Sequence, residues 1–256
     1  MTLLLANERR TRIMQELTRQ STVAIRDLTE KLGVTRETVR KDIERLSEEG
    51  RLNQVRGGAV RVMDWEPPLA ERLRANNPGK SIIANYLAQL IPDGSSVIVD
   101  SGSTTLMVSE QLARTHNDLT IYTNDLSIAL TFGPTAKEVV LLGGRMDPRE
   151  NAVFGIEAIE HLQKYRTDFA LIGVAGVSAE SLVTDFSRET AVLREKMMAV
   201  SATSFILADS SKFGMVGRTT ITVGKDTSIL SDTVPDPDVL LALQMAGIRL
   251  VSVTGD

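Results

Sequence analysis

Five polar clusters punctuate the second half of the chain, each directly after a short apolar run. They are Asp100-Ser101-Gly102-Ser103-Thr104-Thr105, Thr123-Asn124-Asp125, Gly143-Gly144-Arg145, a stretch near Gly176, and Asp209-Ser210-Ser211-Lys212-Phe213-Gly214. Glycine and small hydroxylated residues at the start of a helix place backbone and side-chain donors where a phosphate can sit. Ser103, Thr104, Thr105 and Lys212 are donors suited to a phosphoryl group. Gly102 gives the loop its turn, and Asp100 is an acceptor for sugar hydroxyls. Thr123, Asn124, Gly144 and Arg145 complete the candidate set. One glycine-rich turn after a strand is weak evidence, because such loops need glycine for geometry alone. Five together point to a pocket for an anionic, hydroxyl-rich ligand.

A second constellation lies near the other end, in "TRETVRKDIERL". Val39, Ile43 and Leu46 fall at i, i+4 and i+7 and form one buried stripe. Arg36, Thr38, Arg40 and Lys41 must then point elsewhere, within the first two turns after Thr35. Side chains at the N-terminal end of a recognition helix reach base edges in the major groove. Arginine pairs bidentately with guanine, while lysine and threonine serve bases or phosphates. Arg56, at the tip of a following hairpin, is placed for a backbone or minor-groove contact.

The elements that must hold these residues can be read in order. A helix runs from Asn7 to Arg19, and Gly33 suits the left-handed residue that ends the next one. Thr35 is a natural N-cap with Glu37 in the first turn. Gly50 ends the third helix, and "RLNQVRGGAVRV" predicts a hairpin turning at Gly57-Gly58. Residues 1–62 are thus expected to form a winged helix-turn-helix. Residues 63–79 break the periodicity with Pro67-Pro68, Asn76-Asn77-Pro78-Gly79 and Trp65, the only tryptophan, and read as a linker with a short helix inside it. From residue 80, helices over 80–90, 104–114, 125–132, 155–165, 188–202 and 237–246 alternate with strands. The strands are expected over 96–100, 119–123, 138–142, 168–174, 204–208, "SILSDT" and "IRLVSV". Such alternation predicts a Rossmann-like α/β domain over 80–256, a mostly parallel sheet with helices on both faces. Ligands of such sheets bind outside the carboxyl ends of the strands, where the polar clusters fall.

Composition sets outer bounds. The 256 residues are 42% hydrophobic and 24% charged, ordinary for a globular protein with a sizeable core. Residues 1–63 hold 13 Lys and Arg against 9 Asp and Glu, a balance of +4, whereas the remainder stands at −8. A basic small segment joined to an acidic larger one fits a partner that is a polyanion. The absence of cysteine excludes disulfides and thiolate metal sites and fits the cytoplasm. The two histidines, His116 and His161, stand far apart, so no metal motif and no cofactor is expected. Apolar runs such as Leu3-Leu4-Leu5 and Val139-Val140-Leu141-Leu142 are too short to span a bilayer. No signal-peptide cleavage pattern is present.

The segment "VAIRDLTEKLGVTRETVRKDIERLSEEGRLNQVRGGAV" resembles the DNA-binding signature of the DeoR family of bacterial transcriptional regulators. It departs from the pattern at Ala24, where a capping Ser or Thr is usual, and at Gln54 and Arg56 in the wing. The second half resembles the family's sensor domain through "DSGSTT", "TND", "LLGGR", "GVAGV" and "ADSSKFG". The sensor is similar in fold to ribose 5-phosphate isomerase. Here the departures are Asp147 in place of an Arg, Arg194 in place of a frequent Lys, and Glu189 one step out of register. The resemblance implies a repressor of a carbohydrate catabolic operon that binds double-stranded operator DNA. It also implies control by a phosphorylated sugar. Assembly as a homodimer or homotetramer is expected because single winged domains bind weakly and paired ones read repeated half-sites. The alternative is an isomerase-like enzyme with a DNA-binding head. Asp100, Asp185, Glu189 and Lys212 would be its parts, but no second motif pairs two of them in a defined role.

Overall fold

The computed structural model describes residues 5–19, 22–49, 51–55, 57–61 and 66–253. It divides into two compact units, the smaller built mainly from residues 1–64 and the larger from residues 65–213 and 217–256. Each is described by itself.

The smaller unit runs α1 (Ala6–Arg19), β1 (Thr22–Ala24), α2 (Ile25–Leu32), α3 (Arg36–Glu48), β2 (Leu52–Val55) and β3 (Gly58–Arg61). Val39, Ile43 and Leu46 are fully buried against Ile13, Leu17, Leu28 and Leu52, so the stripe on α3 is the centre of this core. Arg9 on α1 closes the packing by a two-armed ion pair to the buried Asp42 of α3, at 2.7 and 3.2 Å. Gly33 ends α2 in the left-handed conformation, and Thr35 caps α3 by accepting from the Thr38 amide at 3.2 Å. Ala24 precedes α2 without a side-chain cap.

The wing has three strands, in the order β1-β3-β2, where the sequence predicts a two-stranded hairpin. Val55 pairs with Gly58, so Gly58 lies in the strand, and Gly57 before it is left-handed at φ 85. Arg56, Trp65 and Gly50 lie outside the described residues. Gly58 pairs with Ala24 of β1, and a Cβ added there would fall 2.1 Å from the Val23 carbonyl oxygen. The close approach of β1 thus requires glycine.

The larger unit opens with α4 (Leu69–Arg72) and α5 (Asn77–Leu90), then β4 (Ser96–Val99), α6 (Ser103–Thr115), β5 (Thr120–Thr123), α7 (Leu126–Phe132) and β6 (Glu138–Leu141). Next come β7 (Arg145–Asp147), β8 (Ala152–Phe154), α8 (Ile156–Leu162), β9 (Thr167–Ile172), β10 (Gly176–Ser178) and β11 (Leu182–Asp185). It ends with α9 (Arg188–Ala199), β12 (Ser201–Leu207), a 3-10 turn (Ser210–Lys212), β13 (Thr219–Thr220), β14 (Thr227–Ser231), α10 (Pro237–Met245) and β15 (Arg249–Ser252). Seven strands form one parallel sheet in the order β15-β14-β12-β9-β4-β5-β6. Its central strands are apolar on both faces because both are covered. Val97 and Val99 of β4 join a core with α5, α6 and α7, while Ile98 between them joins a core with α8, α9 and α10.

Two small antiparallel pieces were not foreseen. The hairpin β7–β8 occupies what reads as a glycine-rich loop, and β10-β11-β13 forms a separate three-stranded sheet. Helix α9 stops at Ala199 and β12 begins at Ser201, so the strand takes residues that the sequence pattern assigns to the helix.

Gly58→Ala is expected to break the β1–β3 pairing and cost the small unit about 2 kcal/mol or more. Hydrogen exchange should quicken at β1 and β3 while the amides of the large sheet keep their protection; unchanged wing protection would refute the close-approach argument.

Candidate functional site

The switch between neighbours β4 and β9 opens a cleft at the carboxyl ends of the central strands. Its walls include Gly102, Ser103, Thr104, Thr105, Gly173, Arg194 and Lys212. Gly102 stands at φ 149, in a region that disfavours a side chain, and carries no capping group for α6. The first-turn amides of this 13-residue helix therefore meet the cleft with the positive end of the helix dipole. Thr105 spends its hydroxyl on the Gly102 carbonyl, 2.9 Å away. Ser103 and Thr104 are buried at 5% exposure each, and among the described residues their hydroxyls form no hydrogen bond within the protein. Two hydroxyls and a helix terminus are thus left for an acceptor in the cleft.

Beneath this cradle lies a buried ionic triad. Arg194, on α9, donates from Nε to Asp100 Oδ2 at 2.6 Å and pairs through Nη1 with Asp185 at the end of β11. The Gly173 amide donates to the same Asp100 oxygen at 3.0 Å. Burial pushes the Asp100 carboxyl above its usual range, and the charge and hydrogen bond of Arg194 act against that. Asp100 Oδ1 is buried without a hydrogen-bond partner among the described residues.

Lys212 comes from the 3-10 turn after β12. Burial lowers its amine, opposed by the charges of Asp209 and Glu66. A second lysine, Lys80, is 2% exposed and donates from Nζ to the Arg72 carbonyl. Burial lowers it to about 8, with Asp209 pulling the other way and Lys212 and Arg72 adding to the fall. Asp209 accepts through Oδ1 from Asn76 Nδ2 at 2.7 Å and from the Ser211 amide and hydroxyl at 3.1 and 2.6 Å. Its Oδ2 has no hydrogen-bond donor among the described residues.

The structure therefore brings together Gly102, Ser103, Thr104, Thr105 and Lys212, with Asp100 beneath them. The remaining candidates serve other ends. Asn124 is buried and pins the loop, accepting from the Ser101 amide at 3.0 Å and donating to the Val153 carbonyl at 3.2 Å. Thr123 accepts from the Asp125 amide at 3.0 Å. Gly144 packs its backbone against the Phe154 carbonyl, and Arg145 is largely exposed and paired with Glu189 at 2.8 Å. Asp147 is held by Arg149 at 3.1 Å.

Sequence reasoning missed Glu66 and Arg72, which also line the cleft, and Lys80, which holds the Arg72 carbonyl and feels the charge of Lys212. A signal for Lys80 was present. It falls on the buried stripe of α5 with Ile83, Ala84 and Leu87, and Arg194 falls likewise with Ala191, Met197 and Met198 on α9. A charge on a buried stripe marks a hidden partner. Among the described residues no cluster of His, Cys, Asp and Glu could hold a metal ion, and no helix is long and apolar enough to cross a membrane.

In the smaller unit, Arg36, Arg40 and Lys41 are exposed on the first turns of α3 beside the exposed cap Thr35. Arg40 lies 3.9 Å from Glu37, a loose pair that leaves the guanidinium free to reorient. Thr38 is half-buried, its hydroxyl 2.9 Å from that of Thr35.

Asp125 caps α7, accepting from the Ser127 and Ile128 amides at 2.7 and 3.1 Å. Burial raises its carboxyl to about 6 in spite of these bonds, and the charges of Asp100 and Glu150 add to the rise. A raised carboxyl binds its proton more tightly folded than unfolded. The stability it contributes is complete below about pH 4 and lost as pH rises through about 6. Asp125→Asn keeps the capping oxygen without the charge. It should match the wild type near pH 4 and exceed it by about 3 kcal/mol at most at pH 7. Urea unfolding at the two pH values checks this, and a gain independent of pH would reject it.

Comparison with known proteins agrees with this division. The DeoR-like helix-turn-helix domain matches residues 9–64, and the DeoR C terminal sensor domain matches residues 75–232. The HTH-type transcriptional repressor GlcR of Bacillus subtilis (strain 168) is 31% identical over 210 residues, 81% of this chain and 80% of its own. The glycerol-3-phosphate regulon repressor of Escherichia coli (strain K12) is 25% identical over 95% of this chain and 97% of its own. The HTH-type transcriptional repressor CsqR of Escherichia coli (strain K12) is 27% identical over 98% and 97%. Among solved structures, ribose 5-phosphate isomerase A of Methanocaldococcus jannaschii overlays 52% of this chain and 53% of its own at 14% identity, with a TM-score of 0.37. With its helix-turn-helix match at one end and its sensor match over most of the remainder, the chain belongs to the DeoR family of DNA-binding transcriptional regulators.

Proposed function

We propose that this protein is a repressor of a carbohydrate operon that releases or remodels its grip on operator DNA when a phosphorylated sugar enters the cleft beside α6. The observation that carries this is the cradle itself. A helix N-terminus without a cap, the unbonded hydroxyls of Ser103 and Thr104, and the Lys212 amine converge on one small cleft. Each is a donor, and phosphate accepts from all of them. The buried, unpartnered Oδ1 of Asp100 supports a hydroxyl-bearing body behind the phosphate. A relative named for the glycerol-3-phosphate regulon favours the same ligand class.

Binding without turnover is the better account of the acids. Asp100 and Asp185 share Arg194, and Glu189 is spent on Arg145, so three of the four candidate groups are already engaged. A general base must face the proton it removes. Exposed Arg36, Arg40 and Lys41 on α3 would meet double-stranded DNA, and assembly of two or more copies in the cytoplasm would pair such helices on repeated half-sites.

Two predictions follow from the two ends. Arg40→Ala and Lys41→Ala leave the stripe of Val39, Ile43 and Leu46 intact, so the fold should survive. Operator affinity should fall by about 1–3 kcal/mol for a lost base contact, with specificity relaxed at one position. A lost phosphate contact would lower all sequences alike and flatten the salt dependence. Titration of a fluorescent operator reads both, and unchanged binding by both variants would remove α3 from the interface.

Lys212→Met keeps the stem and removes the cation. It should cost about 1.5–3 kcal/mol of sugar-phosphate affinity and leave operator binding normal, so more effector is needed to release the complex. A thermal-shift panel of sugar phosphates, followed by effector titration into the operator complex, tests this; equal response curves for variant and wild type would show that the cleft is not the ligand site. NMR of the same mixtures would reveal any product, and its appearance would establish the enzyme instead.

A further inference from the structure

The chain between the two matched domains supplies two residues to the cleft that neither composition nor motif assigns there. Glu66 and Arg72 both line it, facing Gly102, Ser103, Thr104 and Lys212. Arg72 is nearly buried. It donates from Nε to the Pro67 carbonyl at 2.8 Å, pairs with Glu66 at 2.8 Å through Nη1, and pairs with Glu150 through Nη2. Glu66 also acts on Lys212, holding its amine up against the effect of burial. One carboxylate thus serves two of the cations that border the cradle.

The rest of the segment is fastened at points that are themselves parts of the site. Lys80 holds the Arg72 carbonyl, and Asn76 donates to Asp209 and to Ser210 at 2.7 and 2.9 Å. Asn76 is left-handed at φ 46, a strained conformation that such tethering sustains. Residues 66–76 therefore form a strap that lines the cleft through Glu66 and Arg72 and is tied to Asp209 and Ser210 through Asn76. Glu66 is its end nearest in sequence to the helix-turn-helix match at residues 9–64.

We propose that Glu66 is a built-in anion that occupies the cation field in the absence of effector, and that an entering phosphate displaces it from Arg72 and Lys212. Arg72 then becomes a binding residue for the phosphate, and the displaced end of the strap carries the signal toward the DNA-binding segment. This rests on the cleft being the phosphate site. Two anions that compete for the same cations cannot both be bound, so ligand and strap positions are coupled by mass action. The closed strap lowers apparent affinity by the fraction of molecules in which the site is free.

The full-length protein tests the idea with inorganic phosphate as the probe, titrated by calorimetry at constant ionic strength. Glu66→Gln should bind phosphate about five- to ten-fold more tightly than wild type, because the competing charge is gone. Trp65, the only tryptophan, is the neighbour of Glu66 in sequence, so intrinsic emission follows the end of the strap. Saturating phosphate should shift the emission of the wild type, and Glu66→Gln should begin near the shifted value. Lys212→Met separates the two levels of inference. If it abolishes phosphate binding while Glu66→Gln binds as the wild type does, or the wild-type emission ignores phosphate, the strap is overturned and the cleft stands. If Lys212→Met binds phosphate normally, the cleft falls, and the strap with it.

Discussion

The guanidinium of Arg194 is the constraint on which the sensor unit depends. It is buried between Asp100 at the end of β4 and Asp185 at the end of β11, and so ties the large parallel sheet to the small antiparallel one through α9. A buried ion pair is poor evidence of net stability, since desolvation offsets much of the attraction. Removing one partner is another matter. Without Arg194, two carboxylates would remain in a site closed to water, and broken buried pairs of this kind cost about 3–5 kcal/mol. The triad is therefore better understood as a device that fixes geometry. It sets the floor under the Gly102–Thr105 turn, and Asn124 fixes that turn from the side by accepting from the Ser101 amide. The cradle can then be rigid although it is built from a loop.

This ordering explains what could be read from the chain and what could not. The stripe of Val39, Ile43 and Leu46, the left-handed Gly33, the cap at Thr35 and the βα alternation are all local signals with a period or a fixed offset, and each appears where expected. The polar strand ends were legible for the same reason, because the sheet's geometry puts them on one edge. What each polar residue does there was less so. Asp100 meets Arg194 across 94 residues and Arg72 meets Glu150 across 78, and no spacing rule links such pairs. Arg194 stood out as a departure from a family pattern, yet its partners came only with the fold. The hairpin β7–β8 was hidden because three-residue strands rich in charge, such as Arg145-Met146-Asp147, lack the alternation that marks a strand. Arg145 thus belongs to a rim pair with Glu189 rather than to the cleft.

The lysines carry the physical argument one step further. Lys80 and Lys212 are both lowered by burial, and both feel the single carboxylate of Asp209. A lysine lowered to about 8 makes stability rise with pH between about 8 and 10.5, because over that interval the unfolded chain holds the proton that the folded chain has released. Below about pH 8 the folded chain therefore carries the cost of a charged Lys80 amine in a poorly hydrated place, and burial acts on Lys212 in the same direction. A second negative charge beside them reverses the balance, since an opposite charge nearby favours the charged amine. Phosphate entering the cradle would raise both amines and draw protons onto whatever fraction is neutral. The glutamate of the strap already acts in that direction on Lys212, though as one charge in the lining of the cleft. A phosphate dianion seated against α6 brings nearly twice the charge and adds the helix dipole and two hydroxyls as partners. The difference between those two anions, measured on the same cations, is the free energy that can be spent on moving the strap. If the cleft is the phosphate site, a ligand that lacked the phosphate would leave Glu66 in place, and the charge would be the part of an effector that the proposed strap converts into a signal.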